Sequence, residues 1–232
     1  IADACLVSRD ATVLEIGPGI GTLTRSLAAR YRRVVALEVD RNLIPVLEDT
    51  LGDCGNVQVI QADVLQADLA GLLAADFAAG PVAVCANLPY YITTPILMKL
   101  LESRLPFQSI TVMVQDEVAS RLCAQPGSRA YGAVTASVSY FGQAQKLFTV
   151  PASRFLPTPK VNSAVVHIVL WRQPPCQPRS EEMLFRTIKA AFGQRRKTLP
   201  NALAAGFPEV NREQIRGAVA HIGQPLDVRG GC

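Results

Sequence analysis

The sequence predicts an α/β protein built on a mostly parallel sheet, with a small all-α domain after it. Three observations carry that prediction. Through the first two-thirds of the 232 residues, short β-branched runs alternate with stretches of helical periodicity, the pattern of an α/β sheet and not of a sandwich or a bundle. Two later strand-like stretches flank a proline-bearing loop and suit an added antiparallel pair. A proline-rich break, QPPCQPRS at 173–180, then gives way to helical patterns alone.

Taken in order, strands are expected over Thr12–Ile16, Val34–Glu38, Val57–Gln61, Val82–Ala86 and Ile110–Val114, each run carrying at least two β-branched residues. Helices are expected over Thr22–Arg30, Arg41–Leu51, Thr94–Ser103, Asp116–Cys123 and Ala133–Phe141. The antiparallel pair is expected at Lys146–Val150 and Ala164–Leu170, which brings the sheet to seven strands. Beyond the break, Glu181–Phe192, Lys197–Ala205 and Arg212–Ile222 read as helices, so a domain boundary is drawn near residue 175, with 1–175 as the α/β domain and 176–232 as a helical one.

Composition narrows the class. About half the residues are hydrophobic, enough for a well-buried interior. No apolar run is long enough and free of charge enough to span a membrane, and the opening IADACLVSRD lacks the basic, apolar and small-residue sections of a secretion signal. Six cysteines (Cys5, Cys54, Cys85, Cys123, Cys176 and Cys232) stand far apart without a C-x-x-C pair, and only two histidines, His167 and His221, are available to complete a metal site, so the spacing argues against structural zinc. A reducing cytoplasm and no metal are therefore expected. Charge is divided along the chain: residues 1–150 carry 11 Lys and Arg against 14 Asp and Glu, whereas 151–232 carry 12 against 5. The basic end suits a phosphate backbone, although a solvated basic surface reads the same way.

VLEIGPGIGTLT sets Gly17, Gly19 and Gly21 between the first strand and the first helix, where glycines let the backbone turn sharply and approach a ligand. A dinucleotide fingerprint would want Gly or Ala at position 22, which is Thr, and G-P-G-I-G fits an adenosylmethionine loop better. Glu38 closes the second strand and can accept both ribose hydroxyl protons; Asp63 follows the third and can accept from an adenine amine. Glu15, inside the first strand, is a buried acid that orients the loop, meets the cofactor's amino group or is structural.

After the fourth strand comes Asn87-Leu88-Pro89-Tyr90. An adenine amine is a poor nucleophile because its lone pair is delocalised into the ring, and two acceptors can hold it nearer to tetrahedral geometry. The Asn87 side-chain oxygen and the Leu88 carbonyl would each take one amine proton, Pro89 stiffens the turn, and Tyr90 offers a face for an extruded base. An ordinary strand-to-helix turn with a buried tyrosine is the plainer reading. Direct in-line transfer of a methyl group to that amine needs no dedicated base, so the scarcity of histidine is no objection.

These motifs, spread over essentially the whole chain, resemble the KsgA-type small-subunit (16S) ribosomal RNA adenine N6,N6-dimethyltransferases. NLPYYITTPI, MVQDEVASRL, PGSRAYG, FLPTPKVNSAVV and AAFGQRRKTLPNAL are all similar to segments of that family. The resemblance implies a Rossmann-like class I methyltransferase fold. It implies S-adenosyl-L-methionine as cofactor, leaving as S-adenosyl-L-homocysteine, and cofactor contacts at Gly17, Glu38, Asp63 and Asn87, to which Glu15 of the first strand and Gly19 of the loop are added. Base handling falls to Asn87, Leu88, Pro89, Tyr90 and Phe155, and phosphate contact to Arg195, Arg196 and Lys197. Two adjacent adenines in the 3′-terminal hairpin of small-subunit ribosomal RNA are the implied substrate, with the small subunit as partner and a monomer as the expected state. Members of the family carry a Gln-Asn-Phe-Leu segment ahead of the point where this sequence begins and a continuation past VRG toward Glu-Thr-Leu, so the resemblance implies a chain truncated at both ends. The alternatives are a large-subunit ribosomal RNA adenine methyltransferase conferring antibiotic resistance, and a ribosome-assembly binding factor in which catalysis is secondary. A nicotinamide oxidoreductase fits less well, given Thr22.

Overall fold

Seven strands form one sheet among residues 1–194 and 196–230, which the computed structural model describes. They are β1 (Thr12–Ile16), β2 (Arg33–Glu38), β3 (Val57–Gln61), β4 (Val82–Asn87), β5 (Phe107–Gln115), β6 (Gly142–Val150) and β7 (Ser163–Leu170), in the order β3-β2-β1-β4-β5-β7-β6. The first five run parallel, and β7 is antiparallel to both β5 and β6, as the two late runs predict. Strands covered on both faces read as unbroken apolar runs. Accordingly β1 is buried throughout, and β4 is buried as far as Ala86. The outer strand β3 carries exposed Gln58 and Gln61, which suits an edge.

The helices are α1 (Thr22–Ala28), α2 (Ile44–Leu51), α3 (Leu69–Ala79), α4 (Thr93–Glu102), α5 (Asp116–Leu122), α6 (Ala133–Phe141), α7 (Glu181–Gly193), α8 (Leu199–Gly206) and α9 (Arg212–His221). Several depart from expectation for local reasons. α3 was not anticipated: LAGLLAADFAA has apolar residues on every side, so no stripe marks it, yet Asp68 caps it by accepting from the Gly71 N–H at 3.1 Å. α2 starts at Ile44 and not at Arg41, because the Asp40 carboxylate accepts from the Asn42 backbone and side-chain N–H groups, each at 2.9 Å, and holds a turn there. α8 starts at Leu199, with Pro200 in its first turn, so Lys197 lies outside it. β6 begins at Gly142, where a Cβ would come within 2.5 Å of the Val169 carbonyl oxygen; the strand needs the very residue that reads as a breaker.

Two units cluster by contact. One holds Ile1–Ala119 and Gly142–Trp171, and therefore the whole sheet; the other holds Ser120–Phe141 and the chain from Arg172 on. α6 joins the second because its aromatic end packs on α7. The Phe141 and Phe185 rings stack with centroids 5.4 Å apart, and the Tyr140 hydroxyl donates to Glu181 at 2.8 Å. In the same unit the Arg186 guanidinium donates to the Gly206 carbonyl at 2.8 Å and lies 4.3 Å over the Phe207 ring.

Candidate functional site

Strand order reverses between β1 and β4, which are neighbours in space with their connections leaving to opposite sides. A crevice opens at the carboxyl ends of such a pair, and open α/β sheets bind ligands there. The loop from Gly17 to Gly21 leaves β1 at this point. Gly21 has φ +89°, which strains any side chain, and little room for one, since a Cβ would sit 3.1 Å from the Thr50 hydroxyl and 3.2 Å from Leu51. Gly19 has φ +60° and nothing within 4 Å of its Cβ position, so the loop presents bare backbone to open space.

The acid that closes β2 braces this loop. Glu38 is buried, and its carboxylate accepts from the Gly19 N–H at 3.3 Å and from the Asp40 N–H at 2.9 Å. Behind it Glu15 is 1% exposed. Its Oε2 and the Oγ1 of buried Thr24 lack hydrogen-bond partners among the described residues. Burial pushes the Glu15 carboxyl up to about 7, the nearby Thr24 hydroxyl opposes the rise and the Glu38 charge adds to it. The folded state thus holds this proton more tightly than the unfolded chain. Stability contributed by Glu15 is full below about 4.5 and is lost as pH rises to about 7, by about 3 kcal/mol. Glu15→Gln is expected to remove that loss, so urea denaturation should find the variant gaining on the wild type between pH 4.5 and pH 8; a constant difference would refute the assignment.

Asp63 lies two residues beyond Gln61, the register partner of Glu38, and so stands at the same edge of the sheet. It is exposed, and one carboxylate oxygen accepts from the Leu65 N–H at 2.9 Å.

On the other side of the crevice, the backbone of Asn87 still belongs to the β4 ladder, paired with Met113 of β5. Leu88 is buried and donates its N–H to the Met113 carbonyl at 3.1 Å. The Pro89 carbonyl takes the Ile92 N–H at 3.2 Å and the Thr93 hydroxyl at 3.0 Å, which locks the turn into α4. Neither the Asn87 side chain nor the Leu88 carbonyl has a partner among the described residues. Pro89 reaches across to the glycine loop, its Cδ 4.0 Å from the Cβ position of Gly17. The Tyr90 hydroxyl is tied to Ser163 Oγ at 2.6 Å, and half-buried Phe155 packs against the cluster of Ala4, Met113 and Val165. Phe155 and Asn87 are therefore both anchored through Met113. Sequence reasoning did not single out Thr24 or Ser163: the first is an ordinary helix residue by pattern, and the second meets Tyr90 only because β7 inserts beside β5.

Arg196 and Lys197 are exposed residues of the second unit, between α7 and α8; Arg195 lies outside the described residues. Among the described residues no group of three or more His, Cys, Asp or Glu gathers to hold a metal, and no helix is long and apolar enough to cross a membrane.

Residues 1–224 match the family profile described as ribosomal RNA adenine dimethylase. The ribosomal RNA small subunit methyltransferase A of Alkaliphilus metalliredigens is 47% identical over 216 residues, which cover 93% of this chain and 75% of that protein. Among solved structures, the 23S rRNA methyltransferase ErmE superimposes with a TM-score of 0.74 at 26% identity, over 99% of this chain and 88% of that one. A dimethyladenosine transferase from Plasmodium falciparum superimposes with a TM-score of 0.77 at 23% identity, over 98% and 87%, and shares the fold.

Proposed function

The chain belongs to the ribosomal RNA adenine dimethylase family, and from that premise we propose that it transfers methyl groups from S-adenosyl-L-methionine to the N6 amines of two adjacent adenines in the 3′-terminal hairpin of small-subunit ribosomal RNA. One observation carries the reading. The Asn87 side chain and the Leu88 carbonyl, both without a partner among the described residues, stand on a locked turn whose Pro89 Cδ lies 4.0 Å from the Cβ position of Gly17 in the glycine loop.

The residues fit the cofactor. The open backbone at Gly19 accommodates an approaching ligand, and the orphaned Glu15 Oε2 is an acceptor in want of a donor such as an amino group. Glu38 would hold the ribose hydroxyls and Asp63 the adenine amine, each through carboxylate acceptors at the strand ends. When bound, S-adenosyl-L-methionine supplies an electrophilic methyl group on a positively charged sulfur. The protein's own part is positioning. Asn87 and Leu88 accept the two amine hydrogens and aim the nitrogen lone pair, while Tyr90 and Phe155 hold the extruded base by its faces. Tyr90 can keep one orientation because its hydroxyl is tethered to Ser163.

Two features favour the small-subunit substrate over the large. Identity is 47% to the small-subunit enzyme against 26% to the 23S enzyme, and both RRKTLPNAL and PGSRAYG follow the small-subunit pattern. Mass spectrometry of RNA from purified small and large subunits incubated with isotope-labelled cofactor is expected to place two dimethyladenosines side by side in the small-subunit RNA. Label confined to the large subunit would overturn the reading. A purely assembly-binding role would be recovered in cells carrying only an Asn87→Ala protein with normal subunit maturation.

The basic stretch Arg195, Arg196 and Lys197 is assigned to phosphate. Replacing Arg196 and Lys197 by alanine is expected to weaken RNA binding and reduce the slope of log K against log salt by about 2, roughly one per lost phosphate contact. An unchanged slope in a binding titration would remove these residues from the interface.

A further inference from the structure

A second cleft opens on the same carboxyl edge of the sheet, beside the Asn87 turn, and the reaction as described makes no use of it. Its volume is about 390 Å³, and its walls are Gln115, Asp116 and Glu117 at the end of β5 with Lys160, Val161 and Asn162 ahead of β7. The cleft and the turn share a wall. Asn87 pairs with Met113, two residues before Gln115; Gln115 pairs with Ser163, and Ser163 carries the hydrogen bond to Tyr90. With neighbouring strands about 4.8 Å apart, the cleft lies one to two strand spacings from the turn. One unstacked nucleotide step can bridge that distance.

Its frame is fixed and part of its lining is uncommitted. The Asp116 N–H donates to the Asn162 carbonyl at 3.0 Å, the Asn162 side-chain oxygen accepts from the Ala152 N–H at 3.0 Å, and the Lys146 ammonium donates to Asp116 at 2.5 Å. The Gln115 side-chain amide and the Lys160 ammonium have no partner among the described residues. With Asp116 paired to Lys146, the lining sets Glu117 against Lys160 and offers no net positive charge to draw a phosphate. A Gln115 amide that both donates and accepts, a Lys160 ammonium that donates, and a Val161 that is 44% exposed suit a neutral nucleoside instead. The volume lies within the range of about 300–1,000 Å³ usual for small-ligand sites.

We infer that this cleft is a subsite for the base and ribose of the nucleotide adjoining the adenine under modification. The inference rests on the function proposed above and adds to it a specificity element. With two adjacent adenines in the substrate, the one not in the catalytic turn has a defined place, which aligns the strand for each transfer.

The test uses small-subunit particles whose ribosomal RNA carries, next to the target adenine, either the intact nucleotide or an abasic one. With the wild-type protein, the abasic particle is expected to raise KM about tenfold and leave kcat within about twofold, on the scale of one lost base contact. With the double variant Gln115→Ala, Lys160→Ala, the intact particle should show the same rise and the abasic change should add nothing. Val161→Trp fills the cleft without removing a polar group and should reproduce the rise, which guards against misfolding of the double variant. If the abasic penalty is absent in the wild type, or as large in the variants as in the wild type, the subsite is refuted. If the wild type methylates neither particle, the proposed function itself fails and the subsite with it.

Discussion

Asn87→Ala is expected to lower kcat for methyl transfer by about 10²–10³-fold while leaving RNA affinity within about twofold. The size follows from what is removed. An amine whose lone pair is delocalised gains nucleophilicity only while both hydrogens are held, and deletion of one preorganised hydrogen-bonding group at a reacting centre costs about 2.7–4 kcal/mol in comparable cases. The fold should be indifferent. The Asn87 backbone keeps its place beside Met113, and its exposed side chain supports nothing else among the described residues. Thermal stability should therefore change by about 0.5 kcal/mol or less. Single-turnover transfer with labelled cofactor and a filter-binding assay on the same RNA separate the two quantities. A rate within a factor of about three of the wild type would remove Asn87 from the reaction, and an equal loss of rate and RNA affinity would make it a binding residue.

How much of this was legible beforehand depends on the range of the interaction. The strands β1 and β3 are legible to the residue: β1 is buried at every position and reads as one apolar run, whereas the edge strand β3 stands out by its β-branched Val57, Val59 and Ile60. α3 was illegible for the complementary reason: a helix apolar on all sides has no stripe, and its Asp68 cap is visible only to a reader who already suspects a helix. The site divides the same way. Gly17, Glu38, Asp63 and Asn87 can be picked out because each ends a strand or follows one within two residues, and the sheet then sets those strand ends along one edge. Their partners could not be found. That Glu38 braces Gly19, that Tyr90 is tethered to Ser163, and that Phe155 and Asn87 meet at Met113 all depend on strand order, which the linear pattern does not state.

The regrouping of α6 with the C-terminal helices has the same origin. The break at 173–180 reads as a boundary because prolines mark it, whereas nothing in the linear pattern marks Ser120 or Phe141 as a change of unit. Aromatic packing of Tyr140 and Phe141 on Phe185 decides it, across more than forty residues of chain.

Glu38→Ala should raise the cofactor's Kd about 100-fold, the second large effect. Two contributions add. A carboxylate that accepts both ribose hydroxyls makes charge-assisted bonds worth about 1.5–3 kcal/mol each before competing costs, and a hundredfold loss corresponds to about 2.7 kcal/mol. The same carboxylate also holds the Gly19 and Asp40 N–H groups, so its removal frees the loop that must be ordered for binding and costs the apo protein about 1–3 kcal/mol. Glu38→Gln separates the two. It is isosteric and keeps one acceptor, so a tenfold weakening of binding with most of the stability retained is expected. There is a further signature: Glu38 helps to raise the Glu15 carboxyl, so neutralising it should move the pH-dependent loss of stability to lower pH in both variants. Calorimetric titration with the cofactor, with denaturation measured from pH 4.5 to pH 8, reads all three effects. If both variants lose stability and bind the cofactor with unchanged Kd, Glu38 braces the glycine loop and does nothing more.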